Sequence, residues 1–374
     1  MVERPAVSSS RHIAIFTTSL QMGGAERVAI NISGGLADRG FSVDLVLVSA
    51  HGRLSDEVHP EVNVVDLSSG RVLTSIPKLA IYLRRQKPDV LYSMMPHNNV
   101  AAHLAKILSQ SSTCHIPSEH NMPTSDITSI KDVLLLCFSI PIHRHADHSI
   151  AVSEGVRKEI SRIARLTSDD ISVVYNPIVT DRLKESAAEP PDHPWFDEEV
   201  TTLVSTGRHV EQKGFDVLVR AFAIVREQVD EDIRLLIFGD GPDTEQYRDI
   251  AEECGIAEFV AFPGFVNNIF SEMAAADIFV LSSRWEGFGN VVVEAMACGT
   301  QIVSTDCQSG PAEILANGKY GTLTEVDNPQ PLAEGILSHL KQSHKYSVEE
   351  RAEKFTTSEI ARKYAEIFEA VSSI

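Results

Sequence analysis

The chain has 374 residues, 43% of them hydrophobic and 23% charged, with five scattered cysteines and a formal net charge of −19. That composition excludes wholesale disorder and a fibrous repeat, and the odd, widely spaced cysteines exclude a disulfide frame or a zinc ribbon. Residues 1–185 carry 19 basic and 19 acidic residues, so the whole deficit falls on residues 186–374 and there is no general basic footprint for nucleic acid. At about 100–200 residues per domain the length predicts two domains. Residues 1–11 hold no apolar run, so no signal peptide is expected, and the apolar stretch at Val133–Ile142 is too short to span a bilayer. A cytoplasmic setting with reduced thiols is the expectation.

In chain order, His12–Thr18 reads as a buried strand, followed by a glycine loop at Gln21–Gly24 and a helix from about Ala25 to Arg39, with Gly40 at its C-terminal stop. Strands follow at Val43–Val48, Asp89–Ser93, Ile116–Glu119 and Ser149–Val152, with helices at Lys78–Arg85 and Val100–Ser109. The stretch Lys184–Trp195 packs three prolines into polar sequence and reads as a linker. A second series begins beyond it. Its strands are Val200–Thr206, Arg234–Phe238, Phe259–Phe262, Ile278–Ser282 and Gln301–Ser304, and its helices Phe215–Val229, Thr244–Cys254, Ile269–Ala275 and Asn290–Cys298. The rhythm predicts two α/β domains, each a doubly wound parallel sheet, over 1–185 and 186–347, and residues 348–374 read as a closing helix that packs back toward the first domain. Two such domains facing each other are expected to form a cleft, with ligands at the carboxyl ends of the strands.

The richest segment is Ser282–Pro311. A strand ends at Ser282, a loop carries Glu286, Gly287, Phe288 and Gly289, and a helix begins at Asn290 and carries Glu294. Glycines at such a turn let backbone approach a ligand, and free helix N–H groups suit an anion. Thr206–Gly214 places Arg208 and Lys213 after the first strand of the second domain, two cations able to neutralise a diphosphate. Gly23 and Gly24 form a turn in the first domain without dinucleotide-binding spacing. His120 stands at the end of a short strand, and Phe238–Pro242, with Gly241, is a turn at another strand end where a base or ribose can rest. Arg84, Arg85, Lys87 and Arg157, Lys158, Arg162, Arg165 are local basic runs; with the mixed apolar and basic Ser129–His145 they suggest peripheral contact with an anionic membrane.

With these residues in order, the chain resembles a retaining glycosyltransferase of family 4 with the GT-B fold, over nearly its whole length. Glu286-x7-Glu294 inside EGFGNVVVEAMACGT is the signature; GGAERV at Gly23–Val28, the Gly207-Arg208 … Lys213-Gly214 pattern, the GDGP turn, Val152–Gly155 and Tyr175–Pro177 accompany it. The resemblance implies catalytic roles for His120, Glu286, Arg208 and Lys213. It implies donor binding by Gly23, Gly24, Gly241, Gly287, Phe288, Gly289, Asn290 and Glu294. Glu294 would hold the ribose and Glu286 the donor sugar, and His120 would lie at the reaction centre. His209 departs from the pattern, where an apolar residue is commoner. No cofactor or metal is expected, and Asp230-Glu231-Asp232, with its metal-binding spacing, reads as a solvated loop at the amino end of a strand, away from the cleft side. The wording of SEHN and STDCQSGPAEIL is similar to enzymes of lipid-linked oligosaccharide, exopolysaccharide and surface-glycan assembly, which implies a UDP-hexose or UDP-N-acetylhexosamine donor and a glycan or polyprenyl-linked acceptor. The alternatives are a UDP-sugar epimerase on the same fold and an inactive nucleotide-sugar-binding protein.

Overall fold

A computed structural model of the chain describes residues 11–21, 23–125, 127, 129–341 and 346–373. The signal-peptide reading of 1–11 therefore falls, Arg11 apart, outside the described residues, as does Met22 of the glycine loop. The chain divides into two compact units, Met1–Pro177 with Thr357–Ile374, and Ile178–Thr356.

The first unit is built on seven parallel strands: β1 (His12–Thr17), β2 (Ser42–Leu47), β3 (Asn63–Asp66), β4 (Val90–Met94), β5 (Cys114–Glu119), β6 (Ser149–Ala151) and β7 (Ile171–Val173). Helices α1 (Gly24–Ala37), α2 (Val72–Gln86), α3 (Pro96–Ser109), α4 (Ile130–His145) and α5 (Glu154–Ala164) connect them. The strand order is β3-β2-β1-β4-β5-β6-β7. Apolar runs such as Ile13–Phe16 and Leu45–Val48 are fully buried, as strands covered on both faces require.

The second unit opens with α6 (Asp181–Ala187) and holds six parallel strands: β8 (Thr201–Thr206), β9 (Ile233–Phe238), β10 (Val260–Gly264), β11 (Ile278–Leu281), β12 (Gln301–Thr305) and β13 (Thr322–Thr324). Its other helices are α7 (Phe215–Arg226), α8 (Thr244–Glu253), α9 (Ile269–Ala275), α10 (Asn290–Ala297), α11 (Pro311–Ile314), α12 (Pro329–Lys341) and α13 (Val348–Ala352). The order is β10-β9-β8-β11-β12-β13. Phe215, Phe222 and Tyr247 fill the core between α7, α8 and the sheet.

Two expectations change. The proline-rich stretch is not the crossing between units. It lies inside the second unit, where Asn268 at the start of α9 donates to the Ser186 carbonyl and the Glu189 carboxylate, each at 2.8 Å, and the Asp192 N–H donates to Glu272 at 2.8 Å. The chain crosses instead at Pro177/Ile178 and again at Thr356/Thr357. Residues 348–374 are also not one helix. α13 ends in a 3-10 turn at Glu353–Phe355, and Ile178 and Val179 both donate to the Phe355 carbonyl at 3.0 Å, so that backbone is drawn out of the helix. The last helix, α14 (Thr357–Val371), belongs to the first unit: Tyr364 and Phe368 are fully buried, the Tyr364 and Tyr92 hydroxyls meet at 3.1 Å, and Arg11 donates to the Glu369 carbonyl at 2.7 Å.

Candidate active site

In the second unit β8 and β11 are neighbours at the point where the strand order reverses, so the crevice beyond their carboxyl ends is the natural ligand position. The loop after β8 tightens into a 3-10 turn at Glu211–Lys213. The loop after β11 runs through Glu286 to Gly289, which caps α10 at φ +93°. Backbone and side chain sew the two together. Ser282 Oγ donates to the Lys213 carbonyl at 2.8 Å, the Arg284 N–H to the Gln212 carbonyl at 2.8 Å, and Gln212 Nε2 to the Trp285 carbonyl at 3.0 Å. Gly214 sits at φ +60°, where an added Cβ would lie 2.2 Å from the Ser282 carbonyl oxygen.

This stitching brings two of the expected residues into direct contact. Lys213 Nζ donates to Glu286 Oε1 at 2.6 Å, with the side chains only 14% and 9% exposed. Ser283 Oγ donates to the same oxygen at 2.7 Å. Arg208 is exposed on the β8 loop. Gly287 is held from behind by Ser309 Oγ at 2.9 Å, and the Phe288 ring is buried against Phe355 at 5.7 Å, so Phe288 offers a ligand only its backbone. Asn290 is the first residue of α10 and Glu294 lies one turn on; both are partly exposed.

The turn after β9 is locked onto the β8 loop. The His209 N–H donates to the Asp240 carbonyl at 3.0 Å and the Asp243 N–H donates to the His209 carbonyl at 3.1 Å. Gly241 is required there, since a Cβ would lie 2.3 Å from the His209 carbonyl oxygen. His209 itself is fully buried among Phe215, Tyr247 and Phe262, with ring centroids 5.3, 5.8 and 6.0 Å away. Burial holds its pKa below the ordinary value, so the ring packs as a neutral aromatic and fills the place of an apolar residue.

Arg284 carried no sequence signal. It forms a bidentate pair with Asp216 at 2.9 and 3.0 Å, reaches Asp327 at 2.6 Å and donates to the Glu211 carbonyl at 2.6 Å. Its partners are distant in sequence, so no local spacing reveals it. Asp232 pairs with Arg234 at 2.8 Å in the loop before β9, on the amino side of the strand.

In the first unit, Gly23 is the extended N-cap of α1 and Gly24 its first residue. The Glu26 carboxylate folds back over Gly23, where an added Cβ would lie 2.2 Å from it, and burial raises its pKa. His120 follows β5 and is 8% exposed. Ser118 Oγ donates to the Ser93 carbonyl at 3.0 Å and so accepts from His120 Nε2, also at 3.0 Å. Burial lowers the His120 pKa to about 4, leaving a neutral ring with Nδ1 as its acceptor.

On either side of His120 in sequence, Glu119 and Asn121 line a cavity of about 180 Å³, walled by Met122, Leu135 and Leu136 and joined by His97 from the start of α3. Glu119 is 1% exposed. Its Oε1 accepts from Asn99 at 3.0 Å and meets His143 Nε2 at 3.2 Å, while Oε2 has no partner among the described residues. No sequence signal singles out Glu119, because a Glu at a strand end has no distinguishing spacing. Gly23, Gly24 and His120 thus belong to one unit and the remaining expected residues to the other.

A family model described as Glycosyltransferase Family 4 matches residues 22–182, and one described as Glycosyl transferases group 1 matches residues 189–358. The chain is a glycosyltransferase, built of these two domains. Among curated relatives of this glycosyltransferase, a Campylobacter jejuni protein named N-acetylgalactosamine-N,N'-diacetylbacillosaminyl-diphospho-undecaprenol 4-alpha-N-acetylgalactosaminyltransferase is 27% identical, over 94% of this chain and 97% of its own. A lipopolysaccharide core biosynthesis glycosyltransferase of Rhizobium meliloti is 27% identical over 84% of each chain. Among solved structures, an Anabaena protein in complex with UDP and glucose superposes with a TM-score of 0.78 at 21% identity, over 96% of this chain and 100% of that one. That likeness gives the two parallel sheets of this glycosyltransferase as the GT-B fold.

Proposed function

We propose that this glycosyltransferase is a retaining, metal-independent enzyme that moves a hexose or N-acetylhexosamine from a UDP-sugar to a glycan or polyprenyl-linked glycan, working peripherally at the cytoplasmic face of a membrane. The observation that carries the reading is the Lys213–Glu286 pair, held at 2.6 Å at the switch point of the second sheet. An ammonium has three protons. Glu286 takes one, which leaves two for diphosphate oxygens, while Arg208 on the same loop adds a bidentate donor. Glu286 Oε1 is occupied by Lys213 and Ser283, and Oε2 would take a donor-sugar hydroxyl. Gly287 to Asn290 would contribute backbone donors, Glu294 would take the ribose hydroxyls, Gly241 would border the base, and Gly23 and Gly24 would take part in donor binding as the family resemblance implies.

In the reaction the acceptor oxygen forms a bond to the anomeric carbon on the face from which UDP departs. The bond from that carbon to the phosphate oxygen breaks, and the acceptor proton passes to the departing phosphate. Charge grows on UDP as this happens, and Arg208 and Lys213 stabilise it. Neutral His120 orients a hydroxyl at the reacting centre through Nδ1. The Campylobacter relative's name, with its diphospho-undecaprenol acceptor, and the UDP in the Anabaena structure support this choice of substrates.

The test is nucleotide release from a panel of sugar nucleotides, in EDTA, with extracted lipid-linked glycans as acceptor, followed by the anomeric configuration of the product. Acceptor-dependent UDP release that survives EDTA and gives the donor's own anomer is the expected result. Inversion, or loss of release in EDTA, overturns the mechanism, and interconversion of donors without transfer replaces the reading with an epimerase.

A further inference from the structure

α4 carries its apolar residues on the wrong side for a buried helix. Ile130, Val133, Leu134, Cys137, Phe138 and Pro141 recur at helical spacing along one stripe, and all are exposed: Ile130 by 80%, Phe138 by 65% and Leu134 by 53%. The opposite face, with Ser139, Ile140, Ile142 and His143, is the buried one. The helix start is firmly set, since Ser129 and Asp132 form a reciprocal capping box. The stripe therefore belongs to an ordered helix. α3 lies beside it, with the His103 and His145 rings 6.4 Å apart, and exposes Ile107 by 60% and Leu108 by 55%. Exposed large apolar residues grouped this way mark an interaction surface.

The charges around the stripe choose the partner. Lys131 borders it at one end and Arg144 and His145 continue it at the other, all exposed. Arg84 at the end of α2 donates to the Leu108 carbonyl at 3.0 Å, which sets the exposed Arg85 and Lys87 beside the apolar end of α3. From 72 to 165 there are 11 basic and 7 acidic residues, a net of +4 in a chain whose total is −19. A locally cationic surface with an apolar stripe matches an anionic bilayer, whose headgroups take the cations and whose acyl boundary takes the apolar side chains. No helix among the described residues is long and apolar enough to cross a membrane, and α4, at 16 residues, suits lying in the interface plane.

We propose that the exposed face of α4, with the end of α3 and the cations of α2, is the surface by which this protein docks on an anionic phospholipid bilayer. This deepens the peripheral location above but rests on its own observations. Vesicles of pure phospholipid contain no acceptor, so the docking surface and the transfer reaction fail or stand separately.

The experiment is co-sedimentation of the full chain with phosphatidylcholine vesicles, with and without phosphatidylglycerol, at low ionic strength where screening is weak. The protein is expected to pellet only with the anionic vesicles. Leu134→Asp/Phe138→Asp is expected to lower the partition coefficient about tenfold or more, and Arg85→Glu or Lys131→Glu by about fivefold each. All four positions are exposed, and far-ultraviolet dichroism and thermal melting check that the variants remain folded. Phe138→Trp gives a positive readout, a blue-shifted emission on anionic vesicles alone. A wild type that stays in the supernatant with anionic vesicles overturns the proposal, as does a Leu134→Asp/Phe138→Asp variant that pellets like wild type. Loss of a dimer in that variant, with no vesicle binding by the wild type, reassigns the face to contact between copies of the chain.

Discussion

Lys213 and Glu286 are 73 residues apart in sequence and meet at 2.6 Å, joined by Ser283 on the same carboxylate oxygen. The pair sits mostly out of water, so its members depend on each other more than an exposed ion pair would. It is therefore a structural tie between two loops and, in the proposed reaction, the source of charge for the departing diphosphate.

Removing one partner strands the other. Lys213→Met or Glu286→Leu alone is expected to cost about 3 kcal/mol of stability. The double variant, with neither charge left, is expected to recover most of it. Turnover is expected to fall about a hundredfold or more in all three, since the loss of one preorganised donor to the leaving group has that size. Urea unfolding alongside kcat checks both parts. Single variants with wild-type midpoints and turnover would remove the pair from the site.

His120 makes the protein acid-sensitive. The unfolded chain takes up a proton near pH 6.5, whereas the folded ring does so only near about 4. Between these values folding expels a proton, so stability is complete above the upper one and falls as pH drops, by at most about 1.4 kcal/mol per pH unit for this group. His209 and His115, both lowered by burial, act in the same direction. His120→Gln is expected to flatten this acid limb in a series of urea midpoints from neutral to acid pH. An unchanged slope would show that the ring is not held neutral.

Glu119 has one carboxylate oxygen at a cavity with no partner among the described residues. Glu119→Gln keeps an acceptor for Asn99 and His143 and replaces the other oxygen by a donor. The expected result is an acceptor KM raised about tenfold, the value of one hydrogen bond to a charged group, with the donor KM unchanged. Glu119→Leu is expected instead to cost about 2 kcal/mol of stability by leaving buried polar partners unsatisfied. Equal acceptor KM in wild type and Glu119→Gln would leave the cavity without a role in acceptor binding.

Gly239 tests the stitching of the β9 turn. It sits at φ +109°, and a Cβ there would lie 2.0 Å from the Gly207 carbonyl oxygen. Gly239→Ala is expected to destabilise the protein by about 2 kcal/mol through backbone strain and to weaken UDP binding measured by calorimetry. Gly255, also at positive φ but with nothing within 4 Å, is the control: Ala there strains the backbone without touching the site.

The parallel sheets were legible because buried strands are short apolar runs and every one of the site motifs falls at a strand's carboxyl end. β3 was not, since Asn63–Asp66 is an edge strand with mostly exposed residues and carries no apolar run. The helix character of 72–77 was hidden by Pro77, which lies inside α2. In the site, Arg208, Lys213 and Glu286 announced themselves by type and motif. Their arrangement did not. That Lys213 is bound to Glu286, that Phe288 turns into the core and that Arg284 fixes the loops all depend on contacts between residues far apart in the chain. His209 looked anomalous in sequence, and its burial as a neutral ring among three aromatic residues removes the anomaly.

The chain enters its second unit at Ile178 and returns to its first at Thr357, so α14 is made only after the second unit, while its packing partners, Tyr92 and the strand that carries it, are made early. During synthesis the first sheet must wait, with the seat of Tyr364 and Phe368 uncovered, until the whole second unit has left the ribosome. The order of translation is thus the reverse of the order of completion: the domain begun first is finished last. A fragment ending before Thr357 holds every residue of the second unit and lacks the helix that covers Tyr92 in the first.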